Sequence, residues 1–317
     1  MSSINTNASA MNALATLRNV NTNLNETQNR ISTGLKVSSG KDNAAYFAIS
    51  ETMKGDSGMT KAVNESLTLT KNSVATARLG AEQFNELATE FRDKVAFAQE
   101  NKGGLAEIEA DLTRLVADMT AIMEQSTFNG DDLVNAGGTQ SDGTTAAAAA
   151  TIDATTGVIT SAGATGSAAD PTRSVITGIS RDSSGSLQTT TIDVNPVDLN
   201  GQREKFALIA SGFAANAGNA TTGDAFLSGV LDEADTAAQA SVDAATSLGQ
   251  SEKSIERQQE FLTKLSDNLD AGVGAMVDAN MEEEAARLQA LQVQQQLASQ
   301  SLSIANQAPQ NILSLFK

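Results

Sequence analysis

Residues 63–98 read VNESLTLTKNSVATARLGAEQFNELATEFRDKVAFA. Along them Val63, Leu67, Thr70, Val74, Ala77, Ala81, Phe84, Ala88, Phe91, Val95 and Ala98 fall alternately four and three apart, and only Thr70 is not apolar. That alternation is the heptad, the spacing that keeps one seam of a helix turned toward a partner helix. It predicts a long amphipathic helix. Asn101-Lys102-Gly103-Gly104 breaks the pattern, and Leu105, Ile108, Leu112, Leu115, Met119 and Ile122 begin another. So short a break between long helices favours an antiparallel hairpin. A third stretch lies far downstream, where Leu231, Ala234, Ala238, Ser241, Ala245, Leu248, Glu252, Ile255, Gln259, Leu262, Ser266, Leu269, Val273 and Met276 again alternate three and four. Glu252, Gln259 and Ser266 weaken this seam, but polar residues at such positions fix register at some cost in stability. Three matched seams predict a helical bundle whose packing is its main task.

The chain ends carry heptads of their own. Leu17, Leu24 and Ile31 recur every seven residues, with Ala10, Ala13, Leu14 and Val20 beside them. Near the C-terminus Met281, Leu288, Gln295 and Leu302 form one row, and Leu291, Ala298, Ala305 and Ile312 the other. A first helix is expected from about Ser9 to Ser32, stopped by the C-cap signal Thr33-Gly34. The polar turn Ser38-Ser39-Gly40-Lys41-Asp42-Asn43 follows, then a short helix to about Lys54 that Gly55 and Gly58 interrupt. Around Asp278-Ala279-Asn280 the heptad slips, which predicts a local rewinding of the supercoil and a boundary. The order along the chain is nested: ends, bundle, centre, bundle, ends.

Composition narrows the chemistry. The 317 residues contain no His and no Cys, which removes the usual acid–base side chain, thiolate catalysis, disulfides and zinc clusters. Aromatics are 3% of the chain, which suits helices packed along close seams better than a wide globular interior. The net charge of −17 argues against nucleic acid or an anionic membrane as partner, since both need clustered Lys and Arg. No window approaches the ~18 apolar residues of a membrane span. The start has neither a basic n-region nor an apolar h-region, so a cleavable signal peptide is not expected. Glu282-Glu283-Glu284 is the densest carboxylate run, but consecutive helix positions point different ways and do not converge on a substrate. Its natural place is the first turn of a helix, where the dipole favours negative charge. The expectation is a protein that is not an enzyme and uses no cofactor or metal.

Between about Ala136 and Gly201 the chain turns rich in Ser, Thr, Gly and Ala, with an Ala run at 146–150. Thr151-Ile152-Asp153, Val158-Ile159-Thr160, Ser174-Val175-Ile176, Leu187-Gln188-Thr189 and Thr191-Ile192-Asp193-Val194 read as short strands between turns. A small β-rich domain fits better than a low-complexity linker, although composition alone suits both. Asp142, Asp153 and Asp182 lack the spacing of a Ca²⁺ loop and read as solvated carboxylates. The fold class expected is mainly α: terminal coiled-coil helices, a long helical bundle with a β-turn element, and a small β-rich outer domain. The segments are 1–40, 41–135, 136–205, 206–276 and 277–317.

Short motifs beside these heptads resemble bacterial flagellin. They are Ile4-Asn5-Thr6-Asn7, Arg30 through Val37, Lys41-Asp42-Asn43-Ala44-Ala45 with Ala48-Ile49, and Thr127-Phe128-Asn129-Gly130. At the other end stand Ala305-Asn306-Gln307-Ala308-Pro309-Gln310 and Leu313-Ser314-Leu315. The resemblance covers about 1–135 and 225–317 and rests above all on Asn5, Asn7, Arg30, Gly34, Asp42, Asn306, Gln307 and Pro309. It implies a subunit of the flagellar filament that serves swimming motility. The termini would form an inner coiled coil, the bundle a surrounding tube, and the centre the outer surface. It further implies type III export, unfolded and uncleaved, and an extracellular location. The implied partners are further copies of the chain, sibling flagellins, the export apparatus and its chaperone, junction proteins and the filament cap. Leu17, Leu24, Ile31, Leu288, Leu291, Leu302, Ile312, Leu313 and Leu315 are then the expected assembly residues, their stripes completed only in the polymer.

One family property fits poorly. Enteric flagellins engage an innate immune receptor through an Arg, Arg and Glu patch on the first long bundle helix. The matching stretch here is Glu90-Phe91-Arg92-Asp93-Lys94-Val95-Ala96-Phe97, in which Phe91 replaces an Arg, Asp93 reverses another and Lys94 replaces the Glu. Weak or absent receptor activation is expected. A hook–filament junction protein, and in a different class a secreted surface adhesin, are the alternative readings.

Overall fold

The computed structural model describes residues 7–135, 150–160, 173–181 and 186–315, and for 308–315 the helical backbone only. Among the described residues the chain is mainly α, with two small antiparallel sheets. It divides into two compact units: residues 1–58 with 265–317, and residues 59–264.

The larger unit is built on the seam quoted above. Helix α2 runs from Ala44 to Glu100, and every seam position from Val63 to Ala98 is buried, the stretch from Ala81 to Ala98 completely. A 3-10 turn at Lys102–Gly104 leads into α3, Leu105–Gln125. There Leu105, Ile108, Leu112, Leu115 and Met119 are buried as expected, but the last seam position is Met123 and not Ile122. Lys94 Nζ donates to Asp111 Oδ2 at 2.6 Å, across the hairpin that α2 and α3 form. Helix α6, Gly223–Val277, supplies the third seam: Ala234, Ala238, Ser241, Leu248, Ile255 and Leu262 are buried. Its polar intruders are matched. Glu252 accepts from Arg78 Nε at 2.7 Å, and Gln259 Nε2 donates to Thr68 Oγ1 at 2.9 Å.

Two short helices not anticipated from sequence complete this core. Helix α4, Leu199–Ala210, is capped by Asp198, whose Oδ1 accepts from Gly201 N at 2.8 Å. Helix α5 is Phe213–Ala217. Phe206 of α4 is fully buried, its ring 4.8 Å from that of Phe91 and 6.2 Å from that of Phe84.

Strands β1, Thr151–Ile152, and β2, Ile159–Thr160, form one sheet, while β3, Arg173–Arg181, and β4, Leu187–Val194, form the other. The second ladder runs from Arg173↔Val194 to Arg181↔Leu187 with a bulge between Ile176 and Gly178. Gln258 Nε2 of α6 donates to the Thr177 carbonyl at that bulge, at 2.8 Å. Asp153 accepts from the amides of Thr155 and Thr156, which hold its carboxyl below the usual range, so its role is to cap a turn. Asp142 and Asp182 lie outside the described residues.

Two further sequence expectations are corrected by the structure. Gly55 and Gly58 do not interrupt α2, which is continuous from Ala44. Tertiary contacts override their poor helix propensity: Ser50 and Ser57 are buried on this stretch, and Ser57 Oγ reaches Ser266 Oγ at 3.1 Å and Asp270 Oδ1 at 2.7 Å. Nor does the slip near Asp278 rewind a continuous helix. Helix α6 ends at Val277, which is its last buried seam position in place of the half-buried Met276, and α7, Met281–Leu315, starts afresh, so the slip marks a break between two helices. Asn280 Oδ1 caps it, accepting from Glu282 N at 3.1 Å.

Candidate functional site

The smaller unit brings the two ends of the chain together. Helix α1, Ala8–Thr33, begins at Asn7, whose Oδ1 accepts from Ala10 N, and ends at Gly34, which takes the left-handed conformation (φ 72°) that glycine tolerates best. The α1 exit and the α6–α7 break are sewn together by backbone bonds. Lys36 N donates to the Val277 carbonyl at 2.6 Å, and Ala279 N to the Gly34 carbonyl at 2.9 Å. Val37, Val273 and Val277 form a small core beneath them. Asp42 closes the following turn by accepting from the amides and hydroxyls of both Ser38 and Ser39, all within 3.1 Å.

From there α1 and α7 pack along each other. Three polar links record an antiparallel register. Arg30 Nη1 is 3.2 Å from Glu284 Oε1, Gln295 Nε2 donates to Asn21 Oδ1 at 2.7 Å, and Asn7 Nδ2 donates to the Ala305 carbonyl at 2.8 Å. Between these links the seam is heptad. Ala10, Ala13, Leu17, Val20, Leu24, Thr27 and Ile31 turn inward from α1, and Glu284, Leu288, Leu291, Gln295, Ala298, Leu302 and Ala305 from α7. Only Val20, Thr27, Glu284, Leu291 and Ala298 are buried among these. Expected assembly residues Leu17, Leu24, Ile31, Leu288 and Leu302 are half-buried in this intrachain seam, and Leu291 is buried in it. Leu14 and Met281 are corrections: both are exposed, and the first buried position of α7 is Glu284, which heads the other row, seven residues before Leu291. Met281 lies in the first turn of α7, where the seam is already filled by Glu284 bound to Arg30.

Asn306 and Gln307 are exposed. Asn5 lies outside the described residues, as do the side chains of Pro309, Ile312, Leu313 and Leu315.

Away from their seam both helices expose large apolar side chains. Met11 and Leu14 on α1 and Val293, Leu297 and Ile304 on α7 stand in the open, with Leu297 60% and Ile304 66% exposed. The α7 stretch there is also uncharged, whereas α1 exposes Arg18 and Glu26. From Leu288 to Phe316 the sequence has no Asp, Glu, Lys or Arg, in a chain of net charge −17. Sequence reading centred on heptads passed over this signal, which a scan for charge-free windows finds directly. Among the described residues no group of acidic side chains could hold a metal ion, and no helix is long and apolar enough to cross a membrane.

Comparison with known proteins agrees with this architecture. Residues 4–139 match the bacterial flagellin N-terminal helical region, and residues 231–316 match the bacterial flagellin C-terminal helical region. Along its whole length the chain is 35% identical to the whole of flagellin C from Rhizobium meliloti strain 1021. It is likewise 33% identical to a flagellin of Brucella melitensis biotype 1, and 32% identical to flagellin A of the same Rhizobium strain, again over all of both chains. Neither a junction protein nor an adhesin is favoured by these likenesses. The chain belongs to the bacterial flagellin family, the structural subunits of the flagellar filament.

Proposed function

We propose that the chain is exported through the flagellar type III apparatus and polymerises outside the cell, its terminal helices reaching their stable fold only on assembly. One observation carries this reading: the α1–α7 pair leaves Met11, Leu14, Val293, Leu297 and Ile304 exposed while burying few large side chains of its own. Isolated pairs of this kind are marginal, because ordering costs outweigh a thin seam. Burying several hundred Å² of that surface against neighbours contributes about 10 kcal/mol gross before ordering costs. A head-to-tail interface that does not close then yields a helical polymer. In this reading Leu17, Leu24, Ile31, Leu288, Leu291 and Leu302 shape the hairpin that neighbours recognise, and Ile312, Leu313 and Leu315 extend it. The export chaperone, junction proteins, cap and sibling flagellins act on these same ends. The nested segments 1–40 with 277–317, 41–135 with 206–276, and 136–205 are the inner, middle and outer layers.

The receptor patch of enteric relatives is absent in this reading. Phe91 is fully buried, and Arg92 is engaged by Asp93 at 3.1 Å and Asp235 at 3.2 Å. Purified monomer is expected to give weak or no activation of reporter cells.

Electron microscopy of purified protein with its own seeds tests the main reading. Leu302→Asp, or removal of residues 309–317, is expected to leave a folded bundle that no longer elongates. Normal filaments from either variant would overturn it.

A further inference from the structure

We propose that Asn129 is a site of spontaneous covalent modification, deamidation through a cyclic imide formed with Gly130. The dipeptide Asn-Gly occurs twice in the chain, at Asn129-Gly130 and at Asn200-Gly201. It offers little steric resistance to ring closure, because glycine places no side chain beside the attacking amide. In the reaction the deprotonated Gly130 nitrogen attacks Cγ of Asn129 and a C–N bond forms. The bond from Cγ to Nδ2 breaks, and ammonia leaves carrying a proton in place of the one lost from Gly130. Water then opens the imide. Cleavage at Cγ gives aspartate, and cleavage at the main-chain carbonyl carbon gives isoaspartate, whose backbone runs through Cβ and Cγ. The net change is one water consumed and one ammonia released.

The fold separates the two dipeptides. Asn129 and Gly130 form the tip of a two-residue turn, with φ of 52° and 79°, the left-handed pair that a tight hairpin requires. Both are exposed. Among the described residues neither the Asn129 carboxamide nor the Gly130 amide has a hydrogen-bond partner. Opening the tip for ring closure breaks only the two bonds between Phe128 and Asp131, at 3.0 and 2.9 Å. Asn200 is half-buried in the first turn of α4. Its Oδ1 accepts from Arg203 Nε at 3.0 Å and Nη2 at 2.7 Å. The Gly201 amide, the nitrogen that would attack, donates to Asp198 Oδ1 at 2.8 Å. Both reacting groups are held there, and freeing them unwinds a capped helix N-terminus.

The two products act differently on the turn. Aspartate tolerates the left-handed region much as asparagine does. Isoaspartate lengthens the main chain, so Phe128 and Asp131 no longer pair across two residues. Asp131 matters beyond the turn, because its carboxylate binds Ser73 of α2 and Arg173 of β3. Deamidation therefore adds a negative charge two residues from a carboxylate that ties β3 to α2, and the isoaspartate form also shifts that carboxylate's backbone.

The test uses the full chain without substitution. Purified monomer is incubated in mildly alkaline buffer, and its peptides are resolved and weighed by mass spectrometry. Asn129 is expected to convert at least tenfold faster than Asn200, and to give both aspartate and isoaspartate. The same incubation in denaturant removes the turn and the helix cap together, so the two rates are expected to converge there. Equal rates in the folded chain would overturn the assignment. So would a difference that persists undiminished in denaturant, since it would then owe nothing to the bonds around Asn200.

Discussion

The guanidinium of Arg30 stands 3.2 Å from the carboxylate of Glu284, joining residues 254 apart in the sequence. Glu284 is 6% exposed and its Oε2 has no hydrogen-bond partner. Arg287 approaches from one turn along at 3.8 Å and adds a second positive charge to the site. The pair sits where the hairpin begins and fixes the register of everything beyond it. Arg30→Ala strands this carboxylate with weaker compensation. It is expected to lower filament stability by about 1–3 kcal/mol, read as an earlier disassembly transition on heating. Arg30→Ala with Glu284→Leu removes both partners and is expected to recover part of that loss, since an apolar replacement leaves no buried charge unpaired. A double variant less stable than Arg30→Ala alone would contradict this account.

Phe206 packs its ring against Phe91 and Phe84 and has no exposed surface. Truncating a fully buried aromatic leaves a cavity that helices held along long seams collapse around poorly. Phe206→Ala is expected to destabilise the larger unit by about 3–5 kcal/mol, measured by denaturant unfolding of the monomer. A loss under 1 kcal/mol would mean that α4 is dispensable to the core.

How much of this was legible depends on whether a residue's partner leaves a periodic trace. The α2 seam was readable from Val63 to Ala98 because a long straight helix must repeat its contacts at fixed intervals. The α1 end was readable because Gly34 is a C-cap glycine. Helix α4 was missed because it is short, although Leu199, Phe206 and Phe213 recur every seven residues behind the capping residue Asp198. The continuity of α2 through Gly55 and Gly58 was hidden for another reason. What holds it are buried serines, Ser50 and Ser57, and serine carries no hydropathy signal. Glu284 defeated the reading of the α7 row in the same way: its burial depends on Arg30, a residue no local window contains. The strands near 151, 159, 174 and 187 were legible as β-branched runs, while the bulge at Thr177 and its bond from Gln258 were not.

Asp42 titrates with a structural consequence. The amide of Ser38 and then its hydroxyl, together with those of Ser39, hold its carboxyl below the usual carboxylate range. A depressed folded value means the charged form supports the turn at every pH above the unfolded value of about 3.9. That support is lost only as pH falls through the lower native value. The amide resonances of Ser38 and Ser39 are therefore expected to stay constant from neutral pH to about 4 and to move below it. In Asp42→Asn they should be shifted at neutral pH and show no such titration. Resonances that move already between pH 6 and 5 would refute the assignment.

Gly229 of α6 lies beneath the turn between β1 and β2, so close that a Cβ there would fall 1.9 Å from the Thr156 carbonyl oxygen. Gly157 in that turn adopts φ 68°, and a Cβ on it would meet the Phe226 carbonyl oxygen at 2.4 Å. Backbone faces backbone at both points, and neither side has a flexible atom to give way. Gly229→Ala is expected to cost about 1–3 kcal/mol through overpacking and to lift the turn off the helix, seen as faster hydrogen exchange at Gly157, whose amide donates to the Asp153 carbonyl at 2.8 Å. Gly55 is the contrasting case, a helical glycine with nothing within 4 Å of its missing side chain. Gly55→Ala gains helix propensity with no clash, so it is expected to stabilise α2 by about 0.5–1 kcal/mol. Opposite signs at these two glycines, measured by thermal unfolding, separate a glycine required by contact from one the helix merely tolerates. Equal effects at both positions would show that the close approach at Gly229 does not constrain the turn.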